Sequence, residues 1–349
     1  MGFSNRILGK KTLNGGPRID TVAPSFALAG GELRITGSGL RPHQELHRPK
    51  VKFGDFEGPI IVSSDGFVVT RVPEGATTGS VVVATNGHVS NSHPVKVAVP
   101  IAENLHPVTN PAVDPDGNIY ATVSGSRGQK VPVAIFKIDT NYTMKPFVSE
   151  MMNATGIAFD RQGQMYVSSR YDGAVYRVAP NGTLTTYAEG MGVATGIAFD
   201  REQSLYVGDR NGTIFKIARD QQVFVFATLE VSVSAYHLAF NPQGDLFVTG
   251  PTDRVYKIDP NGTVSTFYKG LGRPQGLAFD VNGNLYVAAS LSGTRGIVKI
   301  APDGLANLEV AGQGLVGLAF APGRSVLLAT TNSVHHLSWD IQGSPLPPE

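Results

Sequence analysis

The residues best suited to chemistry in this 349-residue chain are a set of arginines, one histidine and one asparagine. Arg127, Arg170, Arg210, Arg254 and Arg295 recur once per repeated unit, in corresponding loops, and Arg273 enters the fifth unit from the same side. Guanidinium groups gathered on one face suit bidentate contact with carboxylate or phosphate. Asp172, Asp209 and Asp253 stand beside three of them, so local neutralisation into exposed ion pairs of small energetic worth is the competing reading. Asn110 and His237 replace a glycine that four other units keep. A polar pair meeting a ligand, with His237 as acid or base, is one reading; two fillers bonded to backbone or water is the other. Neither residue has a carboxylate partner visible in the sequence.

The elements that must position these side chains are written in units of about forty residues. Phe159, Phe199, Phe240, Phe279 and Phe320 are spaced by 40, 41, 39 and 41, and Val113 holds the equivalent place 46 residues before Phe159. Such a period marks a supersecondary unit that cannot bury its apolar face alone. Within a unit, Gly-Ile-Ala-Phe reads as a strand covered on both faces. Further β-rich runs follow, separated by Asp172-Gly173 and Asn181-Gly182, pairs that tolerate the positive φ of tight hairpins. Four antiparallel strands per unit, repeated radially, predict a β-propeller, with inner strands near Pro111, Ile157, Ile197, Leu238, Leu277 and Leu318.

The sixth unit lacks its outer strand. Val97–Ala102 stands just before the first inner strand and is expected to supply it, closing the ring and removing exposed sheet edges. Asp160, Asp200 and Asp280 follow inner strands and are expected to cap turns on the opposite rim. Tyr166, Tyr206 and Tyr286 recur with the repeat and are expected to pack between blades. The loops entering each inner strand, and those joining second to third strands, share one rim, called here the upper.

Before the repeats, residues 17–99 read as alternating short strands with glycine turns, a small sandwich. Pro24, Gly30-Gly31 before Leu33–Gly39, Phe53-Gly54, and Val72-Pro73 leading to Thr78-Gly79 resemble an IPT/TIG domain, which implies an immunoglobulin-like fold. The polar insertion Arg41–Lys50 departs from that pattern and is expected in an exposed loop. Residues 1–16 are expected to be a loose arm, residues 100–340 the propeller, and residues 341–349 a Pro/Gly-rich tail. The fold class expected is all-β, an immunoglobulin-like β-sandwich plus a six-bladed β-propeller.

Composition agrees and excludes several functions. Charged residues make up only 16%, with 41 glycines and 23 prolines, as in turn-rich β proteins. A formal net charge of +1 gives no general attraction to nucleic acid or membrane, and the absence of cysteine removes disulfides, thiolate metal sites and cysteine nucleophiles. Phosphate-loop, dinucleotide-loop, nucleophile-elbow and His-Glu-x-x-His patterns are missing. No signal peptide or membrane span is legible, so a cytoplasmic protein or a mature secreted bacterial form is expected. Asn141, Asn153, Asn181, Asn211 and Asn261 lie in Asn-x-Thr triplets, three of them inside the repeated turn. His335 and His336 share a strand, so only one can face inward.

The phrase G-[IL]-A-F-D-x-x-G-x-[LM]-Y-V resembles NHL repeats and the gluconolactonase/senescence marker protein group, with virginiamycin B lyases as relatives. In the gluconolactonase group the residue before the inner-strand glycine helps to hold a divalent cation. The matching positions here are Thr109, Thr155, Thr195, Tyr236, Gln275 and Val316, none acidic. Hard cations need several oxygens, generally including carboxylates, so calcium is unsupported and no cofactor is expected. The favoured function is therefore a binding module for a protein, glycan or small anionic ligand. Thr155, Thr195, Tyr236, Gln275 and the arginines would be its contacts. The alternative is lactone or ester hydrolysis, or a related lyase reaction, centred on His237 and Asn110. A subunit of a homo-oligomeric or larger assembly is a third reading.

Overall fold

A computed structural model describes residues 16–41, 48–230, 233–234 and 236–346. Residues 1–15 of the expected N-terminal arm, most of the Arg41–Lys50 insertion and the last three tail residues lie outside the described residues. Every regular element among those described is a strand. Six sets of four antiparallel strands stand around one axis, preceded by a two-sheet sandwich.

Period-two burial builds the sandwich. In Glu32–Ser38, Leu33 and Ile35 point inward, while Val81 and Val83 do so from Gly79–Thr85. One sheet runs Arg18–Ala23, Glu32–Ser38, Phe67–Arg71, Ile60–Ser63; the other holds Phe26–Ala27, His93–Val97, Gly79–Thr85, Lys50–Phe53 and Phe56–Gly58.

The inner strands of blades one to six are Ala112–Val113, Ala154–Phe159, Ala194–Phe199, His237–Phe240, Leu277–Phe279 and Leu315–Ala321. Ring closure follows the strand count: Val99–Glu103 is the outer strand of blade six, antiparallel to Ser333–Ser338, with Val99 opposite His336 and Glu103 opposite Ser333.

The repeated aromatics seal the seams. Tyr120 meets Phe159, Tyr166 meets Phe199, Tyr206 meets Phe240, Phe247 meets Phe279 and Tyr286 meets Phe320, with centroids 4.8 to 5.6 Å apart. Each pair joins a second strand to the inner strand of the next blade, in the tilted or edge-on geometry aromatic quadrupoles favour. The aspartates cap turns on the lower rim, as expected: Asp160 Oδ1 accepts the backbone N–H groups of Gln162 and Gln164, both at 2.9 Å. Asp280 does the same for Asn282 and Asn284, and also accepts the Tyr286 hydroxyl at 3.2 Å. Tyr286→Phe should therefore lower stability by about 1 kcal/mol in denaturant unfolding, the net worth of one buried hydrogen bond.

The sandwich joins the perimeter of the ring. Phe26–Ala27 pairs in parallel with the outer strand of blade five, Phe26 opposite Val310 and Ala27 opposite Ala311, so blade and sandwich form one continuous sheet. The Leu28 N–H donates to the Ala311 carbonyl at 2.8 Å, and Phe26 packs against Trp339. Gly31 allows this approach, since a Cβ there would stand 2.4 Å from the Ala311 oxygen.

Candidate functional site

The axis of the propeller is pinched near its upper end. Gly156, Gly196, Gly276 and Gly317 sit where the inner strands converge; a Cβ on Gly196 would lie 2.9 Å from the His237 Cα, and one on Gly317 would lie 2.7 Å from the Asn110 backbone. Freed of side chains, adjacent blades bond directly: the Gly196 N–H donates to the Tyr236 carbonyl at 2.9 Å, and that of Gly276 to Val316 at 3.0 Å.

The two residues replacing glycine behave differently. His237 is 6% exposed, and its Nδ1 shares a 3.2 Å hydrogen bond with the Thr109 hydroxyl, bridging blades four and one across the neck. Burial holds its imidazole down to about 4, so it is neutral at pH 7. Asn110 does not complete that pair. Its amide donates to the Leu277 carbonyl at 2.8 Å and its oxygen accepts from the Leu318 N–H at 3.1 Å. The expectation of Asn110 facing His237 is thus corrected: the blade-five and blade-six backbones satisfy Asn110, and the preceding threonine reaches the histidine. Thr155 and Thr195 hydroxyls donate to the Asn153 and Gly208 carbonyls of their own blades, at 3.1 and 2.8 Å. Val316 is buried beside it.

On the upper rim the arginines divide. Arg254 pairs with Glu230 at 3.3 Å and Asp253 at 3.7 Å. Arg295 donates to the carbonyls of Gly272, Arg273 and Leu315 and to the Gln275 side chain at 2.6 Å. Burial, then the neighbouring Arg273 charge, brings Arg295 down to about 10. These contacts make Arg295 and Gln275 a clamp between blades five and six.

Blades one to three present the opposite picture. Arg170 is half-buried, and one of its terminal nitrogens donates to the Gly125 carbonyl at 2.5 Å, while its Nε is buried with no hydrogen-bond partner. Burial is the largest cause lowering its pKa; Tyr236 acts electrostatically in the opposite direction, and the charges of Arg210 and Arg127 add to the lowering. Among the described residues, no carboxylate pairs with Arg127, Arg170 or Arg210. The expected neutralisers are engaged elsewhere: Asp172 accepts the Tyr176 hydroxyl at 2.6 Å, and Asp209 accepts the Val193 and Asn211 N–H groups.

The sequence gives little warning of the residue that assembles this cluster. Asn153 is fully buried with φ +51°, its amide donating to the Gly125 and Ser126 carbonyls at 3.1 and 3.0 Å while its oxygen accepts from the Gly128 N–H at 2.7 Å. It pins the loop that carries Arg127 against blade two. As a buried residue it cannot serve as a glycan acceptor, unlike the exposed Asn141, Asn181, Asn211 and Asn261. Among the described residues, no group of three His, Asp or Glu side chains is placed to hold a metal ion.

Residues 17–99 match the IPT/TIG domain family. No curated protein matches the sequence. A protein of unknown function from Bacteroides thetaiotaomicron is similar over 93% of this chain and 98% of its own, at 15% identity and a TM-score of 0.58. An auxiliary nutrient binding protein from Bacteroides ovatus has the same coverages at 12% identity and a TM-score of 0.55. Virginiamycin B lyase from Staphylococcus aureus is similar over 83% of this chain and 99% of its own, at 13% identity and a TM-score of 0.51. Residues 17–99 are therefore an IPT/TIG domain, and the propeller that follows has the fold shared by gluconolactonase-like and virginiamycin B lyase-like propellers.

Proposed function

We propose that this protein binds a small anionic ligand on the upper rim, with Arg170 at the centre of the site and Arg127, Arg210 and Tyr236 around it. The observation that carries the reading is the buried, unpartnered Nε of Arg170. A desolvated cation close to two like charges, with a donor unmet, is held at an energetic cost that an anion would relieve. A carboxylate or phosphate could offset the Arg170 charge and accept from its guanidinium while other oxygens meet Arg127 and Arg210. Auxiliary nutrient binding proteins share this fold, which supports a binding role by analogy only.

The test is calorimetry with aldonic acids, uronic acids, sugar phosphates and inorganic phosphate. Arg170→Ala should weaken the best ligand about a hundredfold, the loss of two charge-assisted hydrogen bonds, and Arg170→Lys should restore little. If nothing in the panel binds, or Arg170→Ala binds as the parent does, the site is not there.

A second reading, lactone or ester hydrolysis or a related lyase reaction in the channel, has one observation in its favour. Thr109 and His237 form a buried hydroxyl–imidazole pair with the imidazole neutral, as a general base requires. Lactone turnover, with and without calcium, magnesium, manganese or zinc, that vanishes in both Thr109→Val and His237→Gln would establish it.

A further inference from the structure

Below the neck the channel widens into a cavity of about 420 Å³, running from Asn110 down to the lower rim. Ile157, Ile197, Leu238, Leu277 and Leu318 line it, with alanines such as Ala158 and Ala198 leaving the space. Its size falls in the range of small-molecule sites. The carboxylates at its mouth are already engaged: Asp114 accepts from Asn118 and the Tyr120 hydroxyl, and Asp160 from its turn and the Tyr166 hydroxyl. Among the described residues, no positive side chain reaches the lining. The inner strands are terminal in their sheets, so their free backbone edges are the main polar groups available.

The C-terminal segment crosses the mouth. The Ser344 N–H donates to the Phe279 carbonyl at 2.8 Å, the Val281 N–H to Gln342 at 3.1 Å, and Gly343 is packed against Phe320. That anchorage sets Pro345 and Leu346 in the cavity wall, although Leu346 remains 71% exposed.

We infer that this lower chamber is a binding site for an uncharged, largely apolar small molecule, separate from the arginine cluster and entered past the C-terminal segment. An apolar chamber holds water poorly and gains by exchanging it for an apolar guest. Buried backbone edges offer such a guest hydrogen bonds to a carbonyl or hydroxyl but nothing to balance a charge. The glycine neck and the Thr109–His237 bridge separate the chamber from the upper rim. The inference therefore does not depend on the anion reading.

The neutral dye N-phenyl-1-naphthylamine tests it on the full chain. One dye per chain should bind saturably with enhanced fluorescence, and Ala158→Leu with Ala198→Leu should weaken it about tenfold by filling the space. Arg170→Ala should leave dye binding unchanged, and removal of residues 345–349 should speed dye release. Absence of saturable binding, or unchanged affinity in the folded double variant, overturns the site. Should that variant fail to fold, crystals of the parent soaked in 1-bromonaphthalene decide: an anomalous bromine peak below the neck supports the site, and a peak elsewhere or none removes it.

Discussion

Gly276→Ala is expected to destabilise the propeller by about 3 kcal/mol, near the upper end for overpacking by one methyl group. The new Cβ would stand 1.9 Å from the Asn110 Oδ1, 2.6 Å from the Gly317 Cα and 2.9 Å from the Val316 oxygen. The asparagine could swing away only by giving up its bonds to Leu277 and Leu318. The other two contacts are backbone of blade six, so relief there requires separating adjacent blades and stretching the Gly276–Val316 hydrogen bond. Gly304→Ala is the control. That glycine has φ +87° with nothing within 4 Å of a Cβ, so its cost is conformational alone, about 1 kcal/mol. Trp339 is the single tryptophan and is buried against Tyr286 and Phe26, so its fluorescence follows unfolding in urea. Equal losses for the two variants would show that the neck is loose and that the repeated glycine does not hold the blades close.

Much of the ring is legible because its information is local. A phenylalanine every forty residues, a hairpin pair between strands and a short apolar run are readable within one unit, and the missing outer strand of blade six follows by counting. The attachment of the sandwich is not legible. It rests on a two-residue parallel pairing of Phe26 and Ala27 with Val310 and Ala311, distant in the chain and too short to leave a periodic signal. The rim arginines are placed on one face by the same repeat, but their division depends on reach. Arg254 finds Glu230 and Arg295 finds carbonyls, whereas Arg170 is held by a loop that Asn153 pins. At the neck, spacing identifies which residues replace glycine but not which neighbour each meets. Asn110 turns to the backbones of blades five and six, leaving Thr109 as the partner of His237.

Acid should weaken the fold through His237. Its pKa is held down to about 4 by burial, whereas an unfolded chain would protonate it near the ordinary value of 6.5. Above that value both states are neutral and the residue contributes no pH dependence. As pH falls below it the unfolded chain gains a proton that the folded neck refuses, so stability declines until about pH 4, where the folded state begins to accept it. The loss over that window is about 3 kcal/mol. His335 and His336 are also lowered by burial and tilt the curve the same way, so the contribution of His237 must be isolated. His237→Gln removes the titration, and the stability difference between parent and variant should change by about 3 kcal/mol from pH 7 to pH 4, in the parent's disfavour. Identical pH slopes would mean that His237 protonates in the folded state near its ordinary pKa. Water or an anion would then have access to the Thr109–His237 bridge, and the channel neck would become a candidate for acid–base chemistry at neutral pH.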